Sequence, residues 1–353
     1  MKLIKSIAIK TILLALKNYI NFNFWELDPP AIIWQITHKC SFTCRHCSLH
    51  FDNNNLSDEE LIVIAKKIAL SSTPLIAITG GEPLILRNIK EIIKILKASN
   101  KFVSLNTNGY ILREFADFLI EENVDSISIS LDAPNKELHN YIRGNSLAFD
   151  KVIDAIQYIM SNRKENRPII ELIYTINKEN FHLINEFYKI FSKKVDKLTF
   201  QPINDLIMIL IPTDKKLLFD PNDMLTKKDL ELAIAQLNKR VKRKFHSDII
   251  NFVYNQESYK KTIINHCIPK MSNYMSVLNN GDCFICGYVY GNLLKQEVKE
   301  TWNNKYRETI IYNFAKTSVC NNACLLQCNY FDNNHIGYLI KQYLGIFRGK
   351  VKK

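Results

Sequence analysis

The sequence contains little glycine and proline, and its apolar residues never form a long uninterrupted run. Only 10 Gly and 10 Pro occur among 353 residues, while 47% of the residues are hydrophobic and 23% are charged. A collagen-like or low-complexity disordered chain would be richer in Gly and Pro, so both classes are excluded. The chain is long and apolar enough to bury a large core, with room for one main domain and a smaller one.

The first residues lack the features of a secretory signal or a membrane span. They are basic and apolar, but Lys5, Lys10 and Lys17 interrupt them. No stretch therefore reaches the roughly 20 apolar residues that a spanning helix needs, and no small-residue cleavage site follows. Residues 1–30 are expected to form an amphipathic helix that either contacts a membrane surface peripherally or packs on the protein.

The positive charge is also not concentrated in one place. The formal net charge is +12, with Lys and Arg spread along the chain. A dispersed excess of this kind is typical of a solvated surface rather than of a nucleic-acid interface. We therefore expect no nucleic-acid partner.

Cysteine is absent between Cys47 and Cys267, which divides the nine cysteines into two groups. The groups are Cys40, Cys44 and Cys47, then Cys267, Cys283, Cys286, Cys320, Cys324 and Cys328. The odd number, the short spacings and the lack of a secretory signal argue against disulfides. They favour metal ligation by thiolates in a reducing compartment. We expect a cytoplasmic protein, membrane-associated only if residues 1–30 contact a membrane.

From residue 31 onward, short apolar runs alternate with stretches of helical period. The runs are AIIWQIT, PLIAIT, KFVSLN, SISIS, IIELIYTI and KLTFQPI. Ser57 and Glu60 have the spacing of a capping box at the start of the first helix. This alternation predicts an α/β fold with a parallel sheet curled into a partial (β/α)6 barrel, whose functional residues lie on loops after the strands. A linking helix near residue 230 and a hairpin within NGDCFICGYVYGNL are expected to follow.

The cysteine loop, defined by Cys40, Cys44 and Cys47, follows the first predicted strand and offers three thiols. A structural zinc ion needs four ligands, so one of His38, His46 and His50 would have to complete the site. A four-iron cubane held by three thiolates leaves one iron open for a ligand that is not protein. The residues alone leave both interpretations open.

A Cys-x3-Cys-x2-Cys motif after the first strand of such a barrel resembles the radical S-adenosylmethionine (SAM) enzymes. TGGEP, NTNG and SISLDAPNKELHNYIRG follow the next three strands and resemble further segments of that family. The resemblance implies a [4Fe-4S] cluster on the cysteine loop, where SAM is cleaved reductively to a 5'-deoxyadenosyl radical that takes a hydrogen atom from the substrate. It also implies that SAM is bound by Gly80, Gly81, Glu82, Ser130 and Arg143. In this comparison Glu82 pairs with the SAM ammonium group, Arg143 binds the carboxylate, Asp132 shapes its loop and Asn106 is a turn residue.

The second cysteine group resembles the auxiliary-cluster extension called SPASM, or its shortened form called twitch. The matching features are Cys267-x13-Gly281-x4-Cys286, the following GNL and Trp302, and the run Cys320-x3-Cys324-x3-Cys328. The resemblance implies at least one auxiliary [4Fe-4S] cluster, on Cys267, Cys286 and two of Cys320, Cys324 and Cys328. Cys283 is either a small hydrophobic residue or the third ligand of an incomplete second cluster. A closed four-thiolate zinc site is the alternative for this region.

We expect an N-terminal helix in residues 1–30, a radical SAM core in 31–235, a SPASM- or twitch-like domain in 236–335 and a basic tail in 336–353. The function implied by the resemblance is peptide or protein maturation, with reduced ferredoxin or flavodoxin as the electron donor. The alternatives are radical oxidation of a small molecule such as a tetrapyrrole or lipid, and a non-catalytic metal-binding protein. No general base is assignable. Asp205 and Asp282 could be proposed for that role, but a surface position is expected for each.

Overall fold

A computed structural model describes residues 28–47, 54–202, 227–240, 274–285 and 288–316. The predicted N-terminal helix, the basic tail and Asp205 lie outside these residues. So do five predicted cluster ligands: Cys267, Cys286, Cys320, Cys324 and Cys328.

Six parallel strands form the main sheet, as the alternating pattern predicts. They are β1 (Ala31–Thr37), β2 (Leu75–Gly80), β3 (Phe102–Thr107), β4 (Ser126–Ser130), β5 (Ile169–Ile176) and β6 (Lys197–Pro202). Each pairs in parallel with the strand before it in the chain. Helices connect them because parallel neighbours need a crossover connection. This arrangement confirms the predicted partial barrel of the α/β class.

Helices cover one face of this sheet. They are α1 (Asp58–Leu70), α2 (Ile89–Ala98), α3 (Leu112–Glu121), α4 (Lys136–Arg143), α5 (Ala148–Asn162) and α6 (Ile184–Phe191). Alternate strand residues such as Trp34, Ile78 and Leu105 are fully buried in one core with the apolar faces of these helices. The intervening strand residues point to the opposite, inner face of the partial barrel.

Local sequence signals account for where some helices begin and end. The capping box of α1 forms as predicted, because Ser57 Oγ accepts from the Glu60 N–H while Glu60 Oε2 accepts from the Ser57 N–H. Helix α4 was not foreseen from its short sequence. The Asn135 side chain caps it by accepting from the Leu138 N–H, and Gly144 ends it in the left-handed conformation that favours glycine.

Further elements extend the sheet beyond β1. Strand β7 (Met275–Val277) pairs in parallel with β1, and β8 (Asp282–Ile285) and β9 (Tyr288–Asn292) form the predicted antiparallel hairpin. Helices α7 (Lys227–Arg240), α8 (Val298–Trp302) and α9 (Lys305–Lys316) follow the six strands in the chain, α7 lying within the predicted linking helix, and short 3-10 helices occur at Pro83–Ile85 and Phe181–Leu183. In the part of the chain that the structure describes, no helix has the length and apolar character to cross a membrane.

Candidate active site

The cysteine loop lies directly after β1 and is fastened to the end of α4. Cys40, Cys44 and Cys47 are half-buried free thiols, and the Cys47 N–H donates to the Cys44 carbonyl at 3.1 Å. The Arg45 N–H donates to the Ile142 carbonyl at 3.0 Å. This contact brings α4, and with it Arg143, next to the three thiols.

The TGGEP segment runs beside the same loop, and its glycines are required by that close approach. The Gly81 N–H donates to the Thr37 carbonyl at 2.7 Å. A Cβ atom on Gly80 would lie 2.2 Å from the Thr37 oxygen, and one on Gly81 would lie 2.2 Å from the Lys39 oxygen. These neighbours are backbone atoms that cannot swing aside, so glycine is needed for the two loops to pair.

Glu82 is buried among protein donors, which changes the interpretation of its carboxylate. Its side chain is only 1% exposed as a residue and accepts hydrogen bonds from the N–H groups of Leu84 and Asn108 and from the Thr107 hydroxyl. Burial raises the pKa of Glu82 to about 7, although these hydrogen bonds oppose the shift. The carboxylate ties the TGGEP segment to the turn after β3, and its pairing with a SAM ammonium group stays a prediction.

That turn supplies Asn108, a site residue that the sequence analysis did not select. Asn108 Nδ2 lies 3.7 Å from Cys40 Sγ, and the Phe42 N–H points at the same sulfur from 3.4 Å. Burial raises the pKa of Cys40, while these two donors act against that shift. Asn106 is not a turn residue as expected but part of β3, where its Nδ2 donates to Thr79 Oγ1 at 3.4 Å. The NTNG motif was the available signal, but it did not distinguish its two asparagines.

Arg143 and Asp132 form a buried ion pair beside Cys44. Arg143 Nε lies 2.6 Å from Asp132 Oδ2, and Arg143 Nη1 lies 4.0 Å from Cys44 Sγ. Asp132 Oδ1 also accepts from the Thr175 N–H at 2.8 Å, which fixes its loop to β5 as expected for a loop-shaping residue. Burial would raise the pKa of Asp132, but the nearby Arg143 holds it below its ordinary value.

The same pair acts on its surroundings. Burial raises the pKa of Cys44 to about 11, and the positive charge of Arg143 only partly offsets that effect. His139 Nδ1 accepts from the Asp132 N–H at 3.1 Å. Burial and then Arg143 lower the pKa of His139 to about 3, so this imidazole is neutral, as its acceptor role requires.

Ser130 ends β4 on the inner face of the barrel, in register with Ile173 of β5. Four of the predicted SAM-binding residues, Gly80, Gly81, Glu82 and Ser130, therefore lie on a loop or a strand end at the carboxyl edge of the sheet, where a parallel barrel gathers functional groups, and Arg143 ends helix α4. Direct contacts join three of their segments: the cysteine loop, the TGGEP segment and the end of α4.

The donor set of the cysteine loop fits an iron-sulfur cluster. Cys40, Cys44 and Cys47 are three free thiols within eight residues of one loop. A cubane distributes its cysteine ligands over different irons. Asn108, the Phe42 N–H and Arg143 are directed at Cys40 and Cys44, as suits sulfurs that carry negative charge when they bind metal.

Cys283 lies away from this loop, on β8 in the hairpin. It is 0% exposed and belongs to the apolar core, opposite Val277 of β7. Burial, followed by the nearby Asp282, raises the pKa of its thiol well above the ordinary value. These surroundings favour the interpretation of Cys283 as a small hydrophobic residue. The Asp282 carboxylate accepts from the side-chain amides of Asn280 and Asn292, which gives it a structural role in the hairpin.

Comparison with known families matches both halves of this architecture. The model of the radical SAM superfamily matches residues 34–190, and the model of SPASM, an iron-sulfur cluster-binding domain, matches residues 267–329. A probable GTP 3',8-cyclase from Saccharolobus solfataricus is 31% identical over 48% of this chain and 60% of its own length. An AdoMet-dependent heme synthase from Methanosarcina barkeri is 24% identical over 78% of this chain and 82% of its own length. The chain thus spans about three fifths of the cyclase relatives that it matches.

Solved structures share the fold. Streptococcus suis SuiB bound to S-adenosylmethionine superposes with a TM-score of 0.62 at 16% identity, covering 85% of this chain and 71% of SuiB. The enzyme anSMEcpe with bound AdoMet and Cp18Cys peptide gives a TM-score of 0.57 at 18% identity, covering 91% and 98%. A radical SAM domain uses S-adenosylmethionine with a [4Fe-4S] cluster, and a SPASM domain holds auxiliary iron-sulfur clusters. The chain belongs to the radical SAM superfamily and carries a SPASM-type domain after its barrel.

Proposed function

We propose that this protein is a radical SAM enzyme that modifies a peptide or protein substrate. The observation that carries the proposal is the joining of three segments: TGGEP is hydrogen-bonded to Thr37 and Lys39, directly before the cysteine loop, and the loop is hydrogen-bonded to the end of α4. A metal-binding protein without catalysis would need the thiols but would have no use for this assembly around them.

Each residue of the site has a role in the proposal. Cys40, Cys44 and Cys47 hold the SAM-binding cluster, and the bound cluster with SAM supplies a 5'-deoxyadenosyl radical. Gly80 and Gly81 place the TGGEP backbone against the cysteine loop, where it lines the SAM site. Glu82 contributes to the SAM site by holding the turn after β3 against the TGGEP segment.

Arg143 and Ser130 complete the proposed SAM site. Arg143 keeps its charge because Asp132 and Cys44 raise the pKa of the guanidinium despite its burial. Its planar group suits the SAM carboxylate, and its Nε is held by Asp132. Ser130 offers a hydroxyl from the end of β4.

The auxiliary cluster is assigned to the C-terminal domain. We place it on Cys267, Cys286 and two of Cys320, Cys324 and Cys328. Reduced ferredoxin or flavodoxin is the proposed electron donor of the enzyme. The neutral core around Cys283 supports leaving that residue out of the ligand set.

Two comparisons bear on the substrate. SuiB has been solved with a precursor peptide and anSMEcpe with a peptide, and both share this fold. The relative named AdoMet-dependent heme synthase extends over 78% of this chain, which makes a tetrapyrrole the second candidate. We favour a peptide because of the polar inner face of the barrel, described below.

The test is anaerobic reconstitution with iron and sulfide, followed by reduction with dithionite in the presence of SAM. The proposal predicts about eight irons per chain, as two four-iron cubanes require, and formation of 5'-deoxyadenosine. Cys40→Ala should abolish 5'-deoxyadenosine, whereas Cys283→Ala, the matched control, should keep it. Iron without SAM cleavage would support the non-catalytic alternative, and zinc in place of iron would overturn both cluster assignments.

A further inference from the structure

A row of polar side chains crosses the inner face of the barrel from β1 to β6. We call it the polar belt: Gln35, Thr79, Asn106, Ser128, Glu171 and Lys197. Strand register aligns Gln35 with Thr79 and Asn106 with Ser128. It also aligns Ser128 with Glu171, and Glu171 with Lys197. The belt begins on β1, just before the cysteine loop, and ends at the outer strand β6.

Side-chain hydrogen bonds connect neighbours within the belt. Asn106 Nδ2 donates to Thr79 Oγ1 at 3.4 Å, and Ser128 Oγ donates to Glu171 Oε2 at 3.2 Å. Lys197 Nζ lies 2.6 Å from Glu171 Oε1, and Thr199 also donates to that oxygen. The belt is therefore an ordered set of polar groups with one charged pair at its β5–β6 end.

The charged pair has unused hydrogen-bonding capacity on an accessible face. The side chain of Lys197 is 43% exposed and that of Glu171 is 15% exposed. In the described contacts the carboxylate accepts three hydrogen bonds, whereas it has about four lone-pair sites, and the ammonium uses one of its three N–H donors. One acceptor site of the Glu171 carboxylate and two N–H donors of the Lys197 ammonium thus lie side by side.

This chemistry fits a peptide group, which presents one N–H donor and one C=O acceptor. The neutral amides and hydroxyls of the belt also donate and accept, so they match a chain of successive peptide groups. An acyl chain would cover these polar groups and remove their hydrogen bonds to water without supplying new ones, which is unfavourable.

The dimensions also fit an extended chain. Neighbouring strands lie about 4.8 Å apart, so Glu171 on β5 is roughly 19 Å along the sheet from β1. An extended peptide rises about 3.3 Å per residue and would cover that distance with about six residues. A peptide held at Glu171 therefore spans the belt as far as Gln35 on β1 with a short segment.

We propose that the polar belt is the substrate-binding wall of this enzyme and that the Glu171–Lys197 pair anchors an extended peptide by a main-chain N–H and C=O. The inference rests on the proposed radical SAM function and names the residues that hold its peptide substrate. Glu171 and Lys197 are binding residues here, because they hold the peptide main chain at a distance from the reacting atoms.

The experiment measures binding to the reconstituted holoenzyme. The probe is a pool of short acetylated and amidated peptides that together carry every side chain at the central position, and equilibrium dialysis with mass spectrometry reports which are retained. Wild type should retain peptides, and Glu171→Gln and Lys197→Met should each weaken retention about tenfold, the usual size for a hydrogen bond to a charged group. Glu121→Gln and Lys151→Met, exposed on α3 and α5, are the matched controls and should bind as wild type.

The outcomes separate this inference from the proposed function. Wild type that forms 5'-deoxyadenosine without substrate but retains no peptide refutes the peptide anchor alone. Equal retention by Glu171→Gln, Lys197→Met and the controls would also refute it, as would retention of phospholipid vesicles or a porphyrin in preference to peptides. Absence of 5'-deoxyadenosine in every condition would instead refute the proposed function.

Discussion

Replacing Cys283 tests whether this residue is a cluster ligand or part of the core. Cys283 is 0% exposed, lies in the core cluster and stands opposite Val277 in the β7–β8 pairing. Cys283→Ala removes one buried sulfur atom, and we expect it to lower the free energy of unfolding by about 1–2 kcal/mol. Cys283→Ser should cost about 1–3 kcal/mol more than Ala does, because a buried hydroxyl without a partner must lose its water.

The assay combines iron content with denaturant unfolding of the reconstituted protein. Both variants should bind as much iron as wild type, and the order of stability should be wild type, then Ala, then Ser. Cys286→Ala, three positions further along the chain, is the comparison variant and should lose iron because Cys286 is a predicted ligand. Loss of about four irons from Cys283→Ala would refute the reasoning and make Cys283 a ligand of the auxiliary cluster.

Three further changes probe the SAM site. Gly81→Ala should prevent pairing of TGGEP with the cysteine loop, because its Cβ would meet the Lys39 oxygen at 2.2 Å; unchanged iron uptake and 5'-deoxyadenosine formation would contradict this. Asp132→Asn leaves the Arg143 charge buried without its carboxylate, so denaturant unfolding should show a loss of about 3–5 kcal/mol; a change below about 1 kcal/mol would be inconsistent with the pair. In the metal-free protein, the pKa of Glu82 is raised from 4.5 to about 7. As pH rises from below 4.5 through 7, wild type should therefore lose stability relative to Glu82→Gln, by on the order of 3 kcal/mol. The sign follows because the unfolded carboxyl ionises first, and parallel stability curves for the two proteins would count against it.

Local sequence was sufficient for much of the architecture. The six strands, their order and the capping box of Ser57 and Glu60 all follow from patterns within a few neighbouring residues. The cysteine loop was recognisable because its three thiols lie close together in the chain. The Cys-x3-Cys-x2-Cys and TGGEP motifs identified the superfamily for the same reason.

The partners of the site residues were not predictable in this way. The Glu82 side chain accepts hydrogen bonds from Thr107 and Asn108, which come from the next strand and the turn after it. Asn108 was overlooked in favour of Asn106, since sequence alone did not show which of the two would approach Cys40. These contacts depend on how close two loops come, which no local pattern specifies.

The sequence by itself determined the six strands and most of the helices between them, the spacing of the cysteines and the chemical character of the site. Tertiary structure alone decided the Asp132–Arg143 pair beside Cys44 and the alignment of Gln35 through Lys197 into one belt. The physical reason is strand register. The two-residue period of each strand shows which of its residues share a face. Only the hydrogen bonding between neighbouring strands, which are distant in the chain, sets which side chains on that face stand side by side.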